Sequence, residues 1–212
     1  MIYNLVVGNL GTNCWIAHYE NNDAYIIDPG DDADEINKFL EDKKLKPAAI
    51  LLTHGHFDHI AGLNDLYSYW KNKSSNPDIV ISKADSIYLG EGAYEHHCKS
   101  IKACFGRIGF LDEALKNIPE ATVIVEEGSH VGPFEVLMLS GHTEGSVGFY
   151  NKQTKELFSG DTLFNCGVGR TDLPEGDANK LSLSLKRLFA LDPEITVFPG
   201  HGGITTIGNE MP

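Results

Sequence analysis

One seven-residue stretch constrains this chain more than any other. Thr53-His54-Gly55-His56-Phe57-Asp58-His59 directly follows the apolar run 48–52, which is typical of a buried strand. Three of the nine histidines lie here within six positions, together with an aspartate. Because side chains alternate along an extended backbone, we expect His54 and His56 to point the same way, whereas Asp58 and His59 follow after the chain has turned. The spacing therefore predicts ligands for two neighbouring metal ions.

Three later positions repeat the design of a polar residue at the end of an apolar strand, beside glycine. They are His142 in Ser140-Gly141-His142-Thr143, Asp161 in Ser159-Gly160-Asp161-Thr162 and His201 in Pro199-Gly200-His201-Gly202. Loops of this kind allow rigid strand ends to aim side chains at one point without crowding a metal. Imidazole and carboxylate donors without thiolate suit Zn²⁺, and also iron or manganese.

The hydrophobic pattern predicts an α/β protein with two similar halves. Helices are expected from about 31, at 64–73 and at 178–191, among strands at 2–8, 13–19, 24–28, 48–52, 79–81, 121–125, 134–139, 146–150, 156–159 and 195–198. This order favours a sandwich of two mixed sheets with helices outside. A glycine-interrupted helical insertion at about 84–116 is either a lid over the site or a surface feature. Its adjacent His96 and His97 would diverge on a helix, so we do not expect them to share an ion.

Length and charge limit the classes of function. All 212 residues are expected to form a single domain, and the net charge of -13 argues against a nucleic-acid or anionic-membrane partner. The N-terminus has no signal-peptide pattern, and no apolar run is long enough to span a bilayer. We therefore expect a cytoplasmic protein, monomeric or a small homo-oligomer, that acts on a small molecule.

In this order, the four motifs resemble those of metallo-β-lactamase-fold hydrolases, over about residues 5 to 210. The resemblance implies an αββα four-layer sandwich of two mixed β-sheets, with helices on the outer faces and the site at one edge of the sheets. It implies a cofactor of two Zn²⁺ ions per chain, with iron or manganese as alternatives. By position, the first ion would be held by His54, His56 and His142 and the second by Asp58, His59 and His201, with Asp161 bridging the two.

A narrower resemblance concerns the substrate. The stretch 160–172, with Arg170 in Gly169-Arg170-Thr171-Asp172, and the ending 200–210 resemble the short, single-domain relatives of glyoxalase II, a thioesterase that cleaves hydroxyacyl-glutathione. The additional C-terminal helical domain of glyoxalase II is not expected here. The resemblance implies that a metal-bound hydroxide attacks the thioester carbonyl and that Asp58 orients it and helps to move protons. Arg170 would pair either with a substrate carboxylate or with a nearby acid such as Asp172.

Two alternatives stay open from the sequence. Persulfide dioxygenases of the same fold share the Gly-Arg-Thr-Asp stretch and use one iron, which would be held here by His54, His142 and Asp161. In that family an aspartate usually follows the last histidine, whereas Gly202 follows His201 in this chain, which favours the hydrolase. The other alternative is a hydrolase of a different ester or of a lactone.

Overall fold

The computed structural model describes residues 1–19, 21–106, 115 and 117–212. The strands are β1 (Ile2–Val7), β2 (Thr12–His18), β3 (Asp23–Ile27), β4 (Lys46–Leu51), β5 (Asp78–Ser82), β6 (Val123–Val125), β7 (His130–Val131), β8 (Phe134–Met138), β9 (Val147–Asn151), β10 (Glu156–Gly160), β11 (Leu163–Phe164), β12 (Gly167–Val168), β13 (Thr196–Pro199) and β14 (Thr205–Thr206). The helices are α1 (Ala33–Asp42), α2 (Phe57–Ile60), α3 (Leu63–Asn72), α4 (Ala93–Phe105), α5 (Ala178–Leu188) and α6 (Ile207–Glu210). Each predicted strand and helix outside the insertion corresponds to one of these elements, with ends that shift by a few residues.

The first sheet places the histidine motif beside a second strand end. Its order is β1-β2-β3-β4-β5-β6, antiparallel from β1 to β3 and parallel from β3 to β6. Ile27 at the end of β3 pairs with Leu51 at the end of β4. Because parallel strands end at the same edge of a sheet, Asp28 and the motif that begins at Thr53 leave the sheet side by side.

The second sheet brings two more ligand candidates to the same edge. Its order is β14-β13-β10-β9-β8-β7, and within it β10 and β13 run parallel. Gly160 pairs with Pro199, so the residues after these strands, Asp161 and His201, emerge as neighbours. A backbone bond from Asn13 N–H to the carbonyl of Gly200, 2.7 Å long, ties this edge to the first sheet.

Alternating side chains divide the protein into layers, as the resemblance predicts. The inner faces of the two sheets enclose an aromatic core in which Phe158 stacks on Phe198, with ring centroids 5.0 Å apart, and meets Phe134 edge-on. On the outer face of the first sheet, α1 and α3 cover a second apolar cluster with Ile36 and Leu66. Helix α5 covers the outer face of the second sheet. The αββα sandwich is therefore confirmed.

The predicted insertion is only partly described. Between 84 and 116 the described residues form a 3₁₀ turn, Asp85–Tyr88, and the helix α4, while residues 107–114 and 116 lie outside the described residues. The pattern also missed β7, β11, β12, β14, α2 and α6, because elements of two to four residues are too short to show a period. Among the described residues, no helix has the length and apolar character needed to cross a lipid bilayer.

The packing of Phe158 predicts a large loss of stability on truncation. Phe158→Ala removes a fully buried ring that contacts both sheets, so we expect the free energy of unfolding to fall by about 3–5 kcal/mol. Urea denaturation of the metal-free protein measures this loss. Leu183→Ala, at a side chain that is 64% exposed on α5, is the control and should change little. A small effect of Phe158→Ala would mean that the two sheets do not pack through this ring.

Candidate metal centre

All seven predicted ligands converge at the shared edge of the two sheets. Four come from the segment between β4 and the end of α2, and the other three follow β8, β10 and β13. Their donor atoms form three overlapping groups, within each of which all atoms lie within 4.8 Å of one another. The groups are His54, His56 and His142; His54, His59 and Asp161; and Asp58, His59 and His201.

The first group consists of imidazoles that are ready to donate lone pairs. Nδ1 of His56 lies 2.8 Å from Nε2 of His142, and Nε2 of His54 is buried with no hydrogen-bond partner among the described residues. Burial, reinforced by the neighbouring histidines, lowers the pKa of His54 and of His56 well below the ordinary value, and burial also lowers the pKa of His142. These rings are therefore neutral at pH 7, which is the form that binds a metal.

The group of Asp58, His59 and His201 lies among negative charges. Burial by itself would raise the pKa of Asp58. The combined effect of the neighbouring His59 and His201 is larger and leaves this pKa well below its usual range. Burial lowers the pKa of His59, yet the carboxylates of Asp161, Asp58 and Asp28 raise it to about 10. In the metal-free protein His59 is therefore protonated on both ring nitrogens at neutral pH, and its positive charge offsets the charge of these carboxylates.

Asp161 lies between the group of His54, His56 and His142 and the group of Asp58, His59 and His201. Its Oδ1 lies 3.4 Å from Nε2 of His59, and its Oδ2 lies 3.6 Å from Nε2 of His142 and 3.6 Å from Nε2 of His201. The division within the first motif is less sharp than alternation predicts. The chain leaves β4 at Leu51 and turns into α2, so the rings of His54 and His59 lie 4.1 Å apart and His54 takes part in two groups.

Two groups outside the predicted set orient the imidazoles. Asp28 is buried, accepts bonds from the backbone N–H and the hydroxyl of Thr53, and lies 3.0 Å from Nδ1 of His59. Nδ1 of His142 donates to the backbone carbonyl of Arg170 at 2.8 Å. A proton fixed on Nδ1 leaves Nε2 free to face the centre. From the sequence, Asp28 is only the last residue of a predicted strand, and its place before Pro29-Gly30 is the one local signal of a further role.

A pocket of about 240 Å³ opens beside the ligands, with both apolar and charged residues in its walls. Its walls include Leu10 of the β1–β2 turn, Phe57, Ile101 of α4 and Leu173. The predicted insertion thus contributes at least one wall residue to the site. Arg170 lines the same pocket, and its guanidinium bonds to both carboxylate oxygens of Asp172 at 2.7 Å, with both side chains mostly exposed.

These residues fit a divalent cation. Nε2 of His54, Nε2 of His59 and Oδ1 of Asp161 are buried without hydrogen-bond partners among the described residues, although isolated buried polar atoms are costly. All three point into clusters of nitrogen and oxygen donors, which are the atoms that zinc and iron prefer. A bound cation would satisfy these atoms together and balance the charge of Asp58 and Asp161.

Comparisons with known proteins agree with this geometry. A model of the Metallo-beta-lactamase superfamily matches residues 7–201. The chain is 34% identical to the hydroxyacylglutathione hydrolase GloC of Haemophilus influenzae, over 93% of this chain and 89% of that protein. The crystal structure of the BLEG-1 B3 metallo-beta-lactamase superposes with a TM-score of 0.85 and 31% identity, over 100% of this chain and 96% of that one. The protein TTHA1623 in a di-iron-bound form superposes with a TM-score of 0.81 and 34% identity, over 98% and 96%.

The crowding at Gly200 generates a prediction about metal affinity. A Cβ at this position would lie 2.2 Å from Oδ1 of Asp161 and 2.7 Å from Cε1 of His59. Gly200→Ala should therefore displace both side chains and weaken zinc binding at least about tenfold, as measured by competition with a chelator. Gly203→Ala is the matched control, since its Cβ would meet only Nδ2 of Asn165 at 3.3 Å. Equal zinc affinities in the two variants would contradict the close approach.

Proposed function

The chain belongs to the metallo-beta-lactamase superfamily and is a metal-dependent hydrolase, and we propose that it is a thioesterase that cleaves hydroxyacyl-glutathione or a similar small thioester. The observation that carries the proposal is the position of Asp161, which lies between two groups of ligands and lines the adjoining pocket. The activity named for the Haemophilus influenzae relative supports the choice of substrate class, because the chain matches that protein over nearly its whole length.

The proposed cofactor is a pair of divalent ions. His54, His56 and His142 would hold the first, Asp58, His59 and His201 would hold the second, and Asp161 would contact both. The spacing of Asp161 from His59, His142 and His201 supports this arrangement. We propose zinc in both positions on the chemistry of the donors, and the di-iron form of TTHA1623 makes iron the first metal to compare with it.

The remaining chemistry falls to residues of the chain. Bound metal ions supply an activated water at neutral pH and polarise the substrate carbonyl. Asp58 faces the pocket and, with a pKa well below its usual range, stays ionised, so it accepts a hydrogen bond from the attacking water and orients it. Leu10, Phe57 and Leu173 keep bulk water away from the acyl group. A glutathione thioester is too large to fit inside a pocket of about 240 Å³. Its peptide part would therefore extend out of the pocket past Arg170 in the wall.

The mononuclear alternative explains less of the site. A single iron held by His54, His142 and Asp161 would leave Asp58, His59 and His201 clustered within 4.8 Å without a role. Hydrolysis with two ions uses all seven side chains, and for that reason we favour the thioesterase over the persulfide dioxygenase. A cytoplasmic location and the absence of nucleic-acid or membrane partners stay predictions from the sequence.

A substrate panel tests the proposed function. The zinc- and iron-loaded proteins are assayed with hydroxyacyl-glutathione, simple acyl thioesters, a lactone, a β-lactam and glutathione persulfide with oxygen. We expect the highest kcat/KM with a thioester, and a fall of roughly 100-fold or more in Asp161→Ala together with a loss of bound metal. Oxygen consumption on the persulfide by a form with one iron per chain would overturn the thioesterase. Unchanged kcat/KM in Asp161→Ala would contradict the bridging role.

The pairing of Arg170 with Asp172 gives a separate prediction about substrate binding. If a substrate carboxylate replaces Asp172 on the guanidinium, Arg170→Ala should raise KM for a glutathione thioester about tenfold and leave kcat nearly unchanged. Asp172→Asn is the matched variant, and it should lower KM because the competing carboxylate is removed. An uncharged thioester serves as the control substrate, with KM unchanged in both variants. Equal effects on charged and uncharged substrates would argue against this contact.

A further inference from the structure

A short turn outside every predicted motif lies directly beneath the first ligand group. It is the 3₁₀ turn Asp85–Tyr88, which follows β5. The Asp85 side chain is fully buried, at 0% exposure, although it carries a carboxyl group. Buried carboxylates are rare unless a specific set of partners holds them. The partners of Asp85 come from two loops that are remote from each other in sequence.

The carboxylate of Asp85 bonds to both loops that carry the first ligand group. Its Oδ2 accepts from the backbone N–H of Gly55 at 2.9 Å and from the hydroxyl of Thr143 at 2.7 Å. Its Oδ1 accepts from the backbone N–H of Gly145 at 2.7 Å. Gly55 lies between His54 and His56, and Thr143 directly follows His142. One side chain therefore holds the loop of His54 and His56 at Gly55 and the loop of His142 at Thr143 and Gly145.

Both loops pack against the turn without room for a side chain. A Cβ at Gly145 would lie 2.3 Å from Oδ1 of Asp85, and a Cβ at Gly55 would lie 2.1 Å from the ring of Tyr88. The two glycines thus allow the loop backbones to approach the turn closely enough to donate their N–H groups. This close approach explains why glycine occurs at both positions, neither of which needs a positive φ angle.

The turn itself is held from three sides. The hydroxyl of Ser82 accepts from the backbone N–H of Asp85 at 3.3 Å, and the hydroxyl of Tyr88 donates to Glu175 at 3.1 Å. Nε2 of His97 on α4 lies 2.9 Å from the carbonyl of Tyr88. Burial lowers the pKa of His97 to about 4, so the ring is neutral and donates this bond through Nε2–H. His97 thus anchors the turn, and it belongs to none of the three ligand groups.

An ionised carboxylate suits this position better than a neutral side chain. Burial raises the pKa of the Asp85 carboxyl, and the hydrogen bonds from Thr143, Gly55 and Gly145 offset part of this rise. The resulting pKa is about 6, so the group is ionised at neutral pH. Both of its oxygens then accept, which matches the three donors around it. An asparagine would turn an NH₂ group towards one of these donors.

We propose that Asp85 is a positioning residue for the metal centre, and that it sets the spacing between the His54–His56 loop and the His142 loop. With this spacing, Nδ1 of His56 and Nε2 of His142 converge on one cation together with Nε2 of His54. The inference rests on the metal-binding part of the proposed function and is independent of the substrate. Asp85 touches neither metal nor substrate and acts through the two loops.

The experiment compares metal binding in three variants. Asp85→Asn keeps the shape of the side chain. Thr143→Val removes one of the three hydrogen bonds that the Asp85 carboxylate accepts. Asn151→Ala is the matched control, because Asn151 is also buried and its Oδ1 accepts the backbone N–H groups of Gln153 and Thr154. Asn151 ends β9 at the end of the sheet away from the ligands. Zinc affinity is measured by chelator competition, the visible absorption of the Co²⁺-loaded form reports the ligand geometry, and thermal denaturation of the metal-free form reports stability.

We expect Asp85→Asn to weaken zinc binding about 10–100-fold and to alter the Co²⁺ spectrum, and Thr143→Val to do the same to a smaller extent. Asn151→Ala should lower the stability of the metal-free form without changing either metal readout. Zinc affinities within about twofold of the unaltered protein in both Asp85→Asn and Thr143→Val would overturn the proposal. If Asp85→Asn fails to fold, Thr143→Val decides alone. Because metal binding is read directly, a protein that binds zinc as expected but cleaves no thioester would refute the proposed function and leave this inference standing.

Discussion

The structure depends on one electrostatic constraint: seven donor groups, five imidazoles and two carboxylates, meet at one edge of the sheets, and in the metal-free protein the positive charge of His59 offsets the carboxylates. Nδ1 of His56 and Nε2 of His142 lie 2.8 Å apart, so a proton or a metal ion must separate their lone pairs. Around His59, the carboxylates of Asp161, Asp58 and Asp28 raise the pKa of the imidazole to about 10. Buried donor groups of this kind are costly without a cation, so we expect a bound metal ion to stabilise the folded protein.

The two sheets hold these groups together at one rigid edge. Parallel pairs in each sheet, β3 with β4 and β10 with β13, end at one edge, and every predicted ligand follows a strand end there or lies in the loop after β8. A buried carboxylate and a backbone acceptor then fix two of the rings: Asp28 fixes His59, and the carbonyl of Arg170 fixes His142. In the proposed role of Asp85, a third buried group fixes the loops themselves.

The pocket relates the scaffold to the chemistry. Apolar residues from the β1–β2 turn, α2, α4 and the loop after β12 line one part of it, and ligand residues together with Arg170 line the rest. Arg170 contributes twice, since its backbone carbonyl orients His142 while its side chain lines the pocket. Its guanidinium is held by Asp172, so any anionic substrate meets a cation that already has a partner.

The sequence by itself predicted the candidate ligands and determined the layers of the fold. Metal chemistry demands particular residue types, so the run from His54 to His59, together with His142, Asp161 and His201, was recognisable, and the period of apolar residues predicted two sheets with outer helices. Tertiary structure alone decided that Asp28 and Asp85 are buried beside these residues, that His54 belongs to two groups and that Ile101 reaches the pocket. The physical reason is that a hydrogen bond to a backbone N–H, or a packing contact from a distant helix, places no local pattern on the sequence. Such partners are identified only when the folded chain brings them together.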